Sequence, residues 1–360
     1  MAAPIIALGA GNVSMNTSPA SADGSPVIGG WRAQDFLRRL ILSEYLVLLL
    51  TLVYFLVMWA IVPEIATTDT LLDILSAMMP LLVVAIGQTF VLIVAGIDLA
   101  APSVIAMASV VGASVMTGDA GYASGTGLEI PLGILAFLAV GGFIGTFNGL
   151  CTTRFNMPSF IVTLTTMMFF SGAAIWYTTT QTDASSIGNL PVYFVAIGQG
   201  QIGGVPYSLS VVLAVAAIAY FILTKTVYGR WLYAVGLNPR AAAVSGVPVR
   251  RVVFWAFVIS GVCAAIASIL YTGRLETGTP VLGQRILLDV IGAAVIGGVS
   301  LFGGKGKIMW TVFGVLFLTV IDKSLQLMGL SLASVFSIKG LIILLAAVID
   351  ALRHRFLVRG

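Results

Sequence analysis

The polar side chains that could contact a solute in this chain are few, and they lie inside long apolar runs. Gln88, Asn148 and Thr163 offer amide and hydroxyl groups at such positions. These groups suit an uncharged solute rich in hydroxyls, because they donate and accept hydrogen bonds without carrying a charge. We predict that they form, together with Phe160, part of a translocation path or gate. The alternative is that they join neighbouring membrane helices, which is an ordinary use of such groups.

Asp98 is an ionisable residue within the segment "GIDLAAPS", which starts at Gly96. Gly96 interrupts an apolar run, and Pro102 is suited to the first turn of a new helix. Asp98 can therefore cap that helix and complement its dipole. An acidic residue at membrane depth is also a candidate for gating or lining the path. We keep both interpretations and include Asp98 among the predicted path residues.

No arrangement of residues in the sequence indicates an enzyme. Neither a His-Glu-x-x-His motif nor a Gly-x-Ser-x-Gly motif occurs. The segment "GGVSLFGGKGK" (297–307) resembles a phosphate loop, but neither Lys305 nor Lys307 is followed by the Ser or Thr that would bind magnesium. Cys151 and Cys263 lie in apolar runs and have no metal-binding spacing. We therefore predict no catalytic residue, metal or cofactor on this chain.

The composition requires lipid as the main solvent. Of the 360 residues, 59% are hydrophobic and only 9% are charged, against about 25% charged in soluble domains. Ten apolar runs are candidate membrane spans: 45–63, 71–94, 99–117, 131–151, 159–179, 208–224, 252–272, 288–301, 308–328 and 336–352. The sequence thus predicts an all-α polytopic membrane domain of about ten helices over residues 45–352. The run 288–301 is too short to cross and predicts a half-helix that ends at a glycine-rich break.

The basic residues lie mostly on one side of this ten-span arrangement. Fourteen of the 18 Lys and Arg residues are there: Arg32, Arg38, Arg39, Arg154, Lys225, Arg230, Arg240, Arg250, Arg251, Lys305, Lys307, Arg353, Arg355 and Arg359. By the positive-inside rule these loops face the cytoplasm. Residues 1–44 and 353–360 are accordingly predicted to be cytoplasmic tails. The net charge of +4 is explained by this topology and does not indicate nucleic-acid binding.

The opposite loops carry six of the 14 acidic residues and one charged cluster. We predict that Arg274, Glu276 and Arg285 contact a partner protein there, with plain solvation as the alternative. Lys323 and Lys339 lie near the outer ends of the last two spans, where a lysine is expected to extend its ammonium group to the interface.

A weak internal repeat relates two segments of the chain. "NGLCTTRFNMPSFIVTL" begins at Asn148, and "KSLQLMGLSLASVFSIKGL" begins at Lys323. The first passes its loop from outside to inside, and the second from inside to outside. This opposite orientation is a feature of inverted repeats in transporters, so the two halves of the domain are a possible inverted repeat.

The loop 225–251 is basic and polar, unlike its surroundings. Within it, Asn238 is a suitable helix cap, Pro239 suits the first helical position, and Gly246 can end the helix. The sequence predicts a helix of one to two turns, flanked by arginines, on the cytoplasmic side. Its role is either that of a solvated connector or that of a knob that fits a groove on a soluble partner.

Four segments together resemble one family. They are "GIDLAAPS", "NMPSFIVTLTTM", "AVGLNPRAAAVSGVPVRR" and "LDVIGAAVIGGVSLFGGKG", in this order over residues 45–352. They are similar to segments of the ribose-type permeases of bacterial ABC sugar importers. The usual form Gly-Ile-Asp-Leu-Ser-Val-Gly-Ser departs here at Ala100 and Pro102, and Arg240 stands where an acidic residue is usual.

The resemblance implies an inner-membrane permease that pairs with a second permease, either another copy of itself or a sister permease, and moves a monosaccharide or related polyol. It implies a periplasmic solute-binding protein and two cytosolic ATP-binding cassettes, which hold the ATP and magnesium. It also implies that the short helix is the coupling helix on which the cassettes dock. Its residues are Asn238, Pro239, Arg240, Ala241, Ala242, Ser245 and Gly246.

Two other functions remain as alternatives. The same type of permease could carry a nucleoside or a signalling furanose. A stand-alone secondary transporter would need a site for a coupling ion, for which Asp98, Asp289 and Asp322 are the clear intramembrane candidates.

Overall fold

The computed structural model describes residues 45–181, 185–284 and 286–358, and within them the chain is almost entirely helical. The first helices are α1 (Leu46–Ile61), α2 (Thr68–Ile93), α3 (Ala101–Met116), α4 (Glu129–Arg154), α5 (Ser159–Gln181), α6 (Val192–Gln199) and α7 (Tyr207–Lys225). They are followed by α8 (Val227–Leu237), α9 (Pro239–Val244), α10 (Val249–Leu275), α11 (Leu287–Gly297), α12 (Ile308–Leu327) and α13 (Leu332–Val358). The predicted N-terminal tail lies outside the described residues.

Each of the ten predicted spans corresponds to one helix. Six helices are long and apolar enough to cross a membrane, namely α2, α4, α5, α7, α10 and α12. The other four spans correspond to the shorter apolar helices α1, α3 and α11 and to Leu332–Val348 within α13. The predicted half-helix is confirmed, because α11 has 11 residues and ends at Gly298, whose φ is +113°. Helix α13 continues to Val358, past the predicted boundary at residue 352.

Two helices, one hairpin and a 3-10 turn at Pro63–Ala66 were not predicted. Helix α6 has eight residues and lies in a loop between two spans. The strands β1 (Gln201–Ile202) and β2 (Val205–Pro206) form a small antiparallel hairpin in the same loop. Helix α8 fills part of the loop 225–251. All of them are short elements between spans, where hydropathy gives little information.

Helices α2, α10 and α12 form the centre of the domain. Between 61% and 67% of their most apolar windows is buried, against 22% to 28% for α4, α5 and α7. The outer helices expose large apolar side chains, including Phe143, Met168, Trp176 and Phe221. A surface of this kind suits contact with lipid or with another apolar protein surface. It fits the polytopic membrane protein that the sequence predicts.

Glycines allow α4 to lie directly against the backbone of α10. Gly141, Gly145 and Gly149 recur every four residues, on one face of α4. A Cβ atom at Gly145 would meet the carbonyl oxygen of Phe257, and one at Gly149 would meet that of Phe254. Small residues at this spacing are typical of close packing between membrane helices. This close packing fixes the position of α10, the helix that directly follows the loop 226–248.

The loops form two ends of the domain. The basic end comprises the connections at 94–100, 155–158, 226–248 and 298–307, and the opposite end comprises those at 62–67, 117–128, 185–206, 276–286 and 328–331. The two segments of the weak repeat each form helix, short connection and helix, α4–α5 at the basic end and α12–α13 at the opposite end. This is the arrangement that an inverted repeat requires. The equivalence of the two halves stays a prediction.

Candidate functional site

The predicted coupling helix is present as α9, and its start has the expected cap. The side-chain Oδ1 of Asn238 accepts hydrogen bonds from the backbone N–H groups of Arg240 and Ala241, both at 3.0 Å. Pro239 occupies the first helical position, where the missing N–H costs nothing. Such a cap stabilises a helix by about 1 kcal/mol, which matters for a helix of only six residues.

The end of α9 is also fixed by local sequence. The N–H of Val247 donates to the carbonyl oxygen of Ala242 at 3.0 Å, and the N–H of Gly246 donates to that of Ala243 at 3.1 Å. Gly246 has a φ of +82°. This is a Schellman motif, in which glycine takes the left-handed conformation at no steric cost. The predicted helix and its stop at Gly246 are confirmed.

The two faces of α9 differ in exposure. Asn238, Pro239, Arg240, Ala241, Ser245 and Gly246 are exposed. Ala242 is only 5% exposed and packs within the protein, so the expectation that it meets a partner is wrong. Val244, which the sequence did not single out, is 92% exposed. A fully exposed β-branched apolar residue at the tip of a capped helix is a suitable contact for a partner.

Helix α8 attaches this loop to the rest of the domain through two tyrosines. The hydroxyl of Tyr228 donates to the carbonyl oxygen of Val252 in α10 at 3.0 Å. The hydroxyl of Tyr233 donates to that of Gly306 at 2.7 Å. Burial raises the pKa of Tyr228 and of Tyr233, so both hydroxyls stay protonated and remain donors. The loop 225–251 is thus anchored at one side to α10 and at the other to the glycine-rich segment 297–307.

The end of α8 also lies on a junction of three backbone segments. The N–H of Gly304 donates to the carbonyl oxygen of Ile93, the last residue of α2, at 2.8 Å. Gly236, two residues before Asn238, packs against the Ile93 carbonyl and the Gly304 N–H. A Cβ atom at Gly236 would overlap Ile93 O and approach Gly304 N. The glycine-rich segment 297–307 is therefore a packed part of this junction.

The chain between α2 and α3 forms a helix break next to the junction. Ala95 has a φ of +58°, and the N–H of Gly96 folds back to the carbonyl oxygen of Val91. The backbone of Ile97 is held by α5: its N–H donates to Ser159 Oγ and its carbonyl oxygen accepts from Thr163 Oγ1, both at 3.2 Å. Helix α5 thus supplies hydrogen bonds that a helix would otherwise provide at the break.

Asp98 is almost completely buried at the end of the break. Its carboxylate accepts a hydrogen bond from the N–H of Ala100 at 2.9 Å and one from the hydroxyl of Ser260 in α10 at 2.7 Å. The capping residue of α3 itself is Ala100. Asp98 thus organises the start of α3 from two residues upstream, and also ties it to α10.

Gln88 holds the same segment from α2. One orientation of the Gln88 amide gives both its nitrogen and its oxygen a hydrogen-bond partner. In that orientation, Nε2 donates to the carbonyl oxygen of Asp98 at 3.1 Å and Oε1 accepts from the N–H of Asp98 at 3.3 Å. Asn148 accepts from the hydroxyl of Thr166 at 2.7 Å. Gln88, Asn148 and Thr163 are each at most 1% exposed. Their polar groups serve to join helices, which is the alternative stated from the sequence.

Phe160 does not join this cluster. It is 50% exposed, on the surface of α5 near the basic end. The structure therefore brings Gln88, Asp98 and Thr163 together around one helix break, and leaves Asn148 and Phe160 apart from it. A role for any of them in lining an open path stays a prediction.

The charged outer cluster is only partly described. Gln199 of α6 donates through Nε2 to the carbonyl oxygen of Arg274 at 2.9 Å and to Glu276 Oε1 at 2.8 Å. Glu276 has a φ of +57° and ends α10. Arg274 and Glu276 are thus held against α6 at the opposite end. Arg285 lies outside the described residues.

Lys339 is not at the interface, contrary to the expectation from the sequence. It is 5% exposed. Its Nζ lies 2.7 Å from Asp289 Oδ2 of α11 and 3.1 Å from Asp322 Oδ1 of α12. Lys323 is more exposed and pairs with Asp73 of α2 at 2.9 Å. The sequence could not show these pairings, because the partners lie on different helices.

We predict that Gln88→Leu lowers stability, whereas Asp98→Asn changes it little. The leucine would leave the N–H and the carbonyl group of Asp98 without partners inside the domain, and each such group costs about 1–3 kcal/mol. An asparagine at 98 can still accept from Ala100 and donate to Ser260. Thermal unfolding of the purified variants measures both effects. Equal melting temperatures for the two would contradict the assigned role of Gln88.

Comparison with known proteins identifies the class. A family model described as the permease component of a branched-chain amino acid transport system matches residues 70–347. The chain belongs to this family of transport-system permeases, and it is a multi-pass membrane permease subunit and not an enzyme. No solved structure gives a significant match.

Several of the similar curated proteins are import permeases with sugar names. The chain is 32% identical over 290 residues to the ribose import permease protein of Haemophilus influenzae, covering 80% of this chain and 87% of that protein. It is 33% identical over 275 residues to the fructose import permease protein of Rhizobium meliloti, 74% of each. It is 34% identical over 282 residues to the galactose/methyl galactoside import permease protein of Haemophilus influenzae, 76% and 83% of the two chains. The resemblance to ribose-type permeases is confirmed.

Proposed function

We propose that this chain is the membrane permease of an ABC importer that carries a monosaccharide or a related polyol into the cytoplasm. The observation that carries the proposal is α9, a short helix capped at both ends that presents Val244 at its tip. A membrane domain needs such a rigid projection if a separate ATPase is to move it. The names of the similar permeases support a sugar as the solute.

The partners follow from the two ends of the domain. At the basic end, which the positive-inside rule assigns to the cytoplasm, ATP-binding cassettes dock on α9 and hold the ATP and magnesium. At the opposite end, the surface around Arg274 and Glu276 receives a periplasmic solute-binding protein. The exposed apolar faces of the outer helices contact lipid and a second permease copy in the bacterial inner membrane, with both termini cytoplasmic.

The three intramembrane carboxylates already have partners, which disfavours ion-coupled secondary transport. Asp98 is held by Ala100 and Ser260, and Asp289 and Asp322 are both paired with Lys339. In the described residues no three acidic, His or Cys side chains are grouped so that they could hold a metal ion. A coupling ion would have to displace the Lys339 ammonium from its two partners.

Co-purification tests the proposal. The tagged chain is expressed with the ATP-binding cassette and the solute-binding protein encoded beside it, once intact and once with residues 238–246 replaced by a Gly-Ser linker of equal length. We expect the cassette to remain bound only to the intact chain, and vesicles holding the complex to take up sugar only with ATP. Uptake that a protonophore abolishes and an ATPase-dead cassette does not affect would reject the importer.

A further inference from the structure

A small polar cavity lies between five helices near the opposite end of the domain. Its volume is about 190 Å³, and it is lined by residues of α2, α10, α11, α12 and α13 and by Ile286. This is smaller than the roughly 300–1,000 Å³ of pockets for drug-sized ligands, so the cavity suits a small solute. Ala77, on its wall, lies nine residues after the start of α2, which places the cavity about 14 Å along that helix.

The charged groups around the cavity balance. Asp289 and Asp322 supply two negative charges, and Lys339 and Arg274 supply two positive charges. The Lys339 ammonium lies between the two carboxylates, where it has the place and the charge that a bound cation would have. An anion would be opposed by the same two carboxylates. The balance therefore favours a solute without net charge.

The chemistry of the wall favours hydroxyl groups. A hydroxyl both donates and accepts, so it can pair with a carboxylate and with an ammonium or guanidinium group at the same time. Asp289 and Asp322 are 16% and 35% exposed at their side chains, so they remain open to a solute while they hold Lys339. Leu81, Leu318 and Tyr271 add an apolar wall that suits the C–H faces of a sugar ring.

Two of the residues predicted from the sequence to line the path are enclosed by protein. Gln88 and Thr163 are fully buried and are used in holding the helix break. The charged cavity, in contrast, combines volume with polar groups that converge from separate helices. Because a binding site needs both, the cavity is the better candidate for contact with the solute.

We propose that this cavity binds the transported solute, a neutral polyhydroxylated molecule of monosaccharide size, on its way from the opposite end through the permease. The inference rests on the proposed function and adds a place and a recognition chemistry to it. Lys339 then has two roles: it pins α11 and α12 to α13, and it presents the carboxylates to the solute in a fixed geometry.

A cavity-filling variant with a matched control tests this site. Ala77→Leu fills the cavity and leaves its charged residues unsubstituted. Ala139→Leu adds the same side chain to the exposed face of α4. In vesicles with cassette and binding protein, uptake of ribose, fructose and galactose is measured. We expect Ala77→Leu to lower uptake of the imported sugar by about tenfold or more, which is the effect that one added group has in a substrate pocket. Ala139→Leu is expected to import like the wild type.

Labelling provides a second measurement that does not depend on the folding of Ala77→Leu. In a chain with Cys151 and Cys263 replaced by serine, Ala77→Cys is labelled with a small thiol reagent. We expect the imported sugar to slow the labelling and ribonate, a charged analogue, to leave it unchanged. Equal import by Ala77→Leu and Ala139→Leu, or labelling that the imported sugar does not slow, would overturn this site alone. A wild type that imports none of the three sugars with ATP would overturn the proposed function and the site together.

Discussion

Val244→Asp is expected to abolish ATP-driven import while the protein inserts and folds normally. Val244 is 92% exposed, so the change removes no packing, and surface changes of this kind alter stability by less than about 0.5 kcal/mol. In the docked complex the same side chain would be enclosed by the cassette. A charge placed there would be desolvated without a partner, and the loss of a central apolar contact costs about 2 kcal/mol or more. We therefore expect cassette binding to weaken by about 30-fold or more.

Val192→Asp is the matched control for this experiment. Val192 is 80% exposed and begins α6 at the opposite end, so the same substitution is made at a site that the cassette cannot reach. Cassette binding to the purified variants is measured by titration, and import is measured in vesicles. Wild-type cassette affinity and import in Val244→Asp would show that α9 is a solvated connector.

The second large effect is expected from Gly236→Ala. A Cβ atom at this position would overlap the carbonyl oxygen of Ile93 and approach the N–H of Gly304. Both are backbone groups, so neither can rotate away, and the hydrogen bond between them must open or α8 must move. Forcing extra atoms into a packed site costs about 1–3 kcal/mol. We expect a lower melting temperature and, in the protein that still folds, loss of import with the cassette still bound.

Gly142→Ala separates this effect from a general cost of losing glycine. Gly142 lies inside α4 and has nothing within 4 Å of the position of a Cβ. Alanine there should be neutral or slightly stabilising, because alanine is the better helix former by about 1 kcal/mol. If the two variants melt and import alike, the junction at Gly236 does not carry the movement of α8.

Backbone contacts link the end of α8, next to the proposed coupling helix α9, to the helix break. Gly236 is two residues from the cap of α9, and Ile93 is the last helical residue before the break. We expect a shift of α9 to reach the end of α2 through these contacts. The break, in turn, is held by α5 and α10 through Thr163 and Ser260. This gives a physical route by which a docked ATPase could change the packing of the central helices.

Several features could be predicted from the sequence because they depend on neighbouring residues. The positions of the ten apolar helices follow from hydropathy, and the two ends of α9 follow from Asn238, Pro239 and Gly246. The short α11 was predicted from the length of its apolar run. Capping, glycine conformation and hydropathy all act over a few residues, so the sequence alone contains them.

The role of each polar residue could not be predicted in the same way. From the sequence, Gln88 and Asp98 were predicted to line the path. In the fold, the Gln88 amide is hydrogen-bonded to the backbone of Asp98, and the Asp98 carboxylate accepts from Ser260. Lys339 looks like an interfacial lysine, but it is buried with Asp289 and Asp322, which are 50 and 17 residues away. Whether a polar group is free or paired depends on which helices pack together, and no local pattern records that.

The sequence by itself determined that the protein is a helical membrane permease, where its ten apolar helices lie, and that the short helix α9 is capped at both ends. The tertiary structure decided which face of each helix is buried, that Val244 is exposed and Ala242 is buried, and where a small polar cavity lies. The physical reason is that lipid is as apolar as a protein core. A membrane helix therefore has no polar stripe to mark its outer side, and only the packing of the helices against one another separates core from surface.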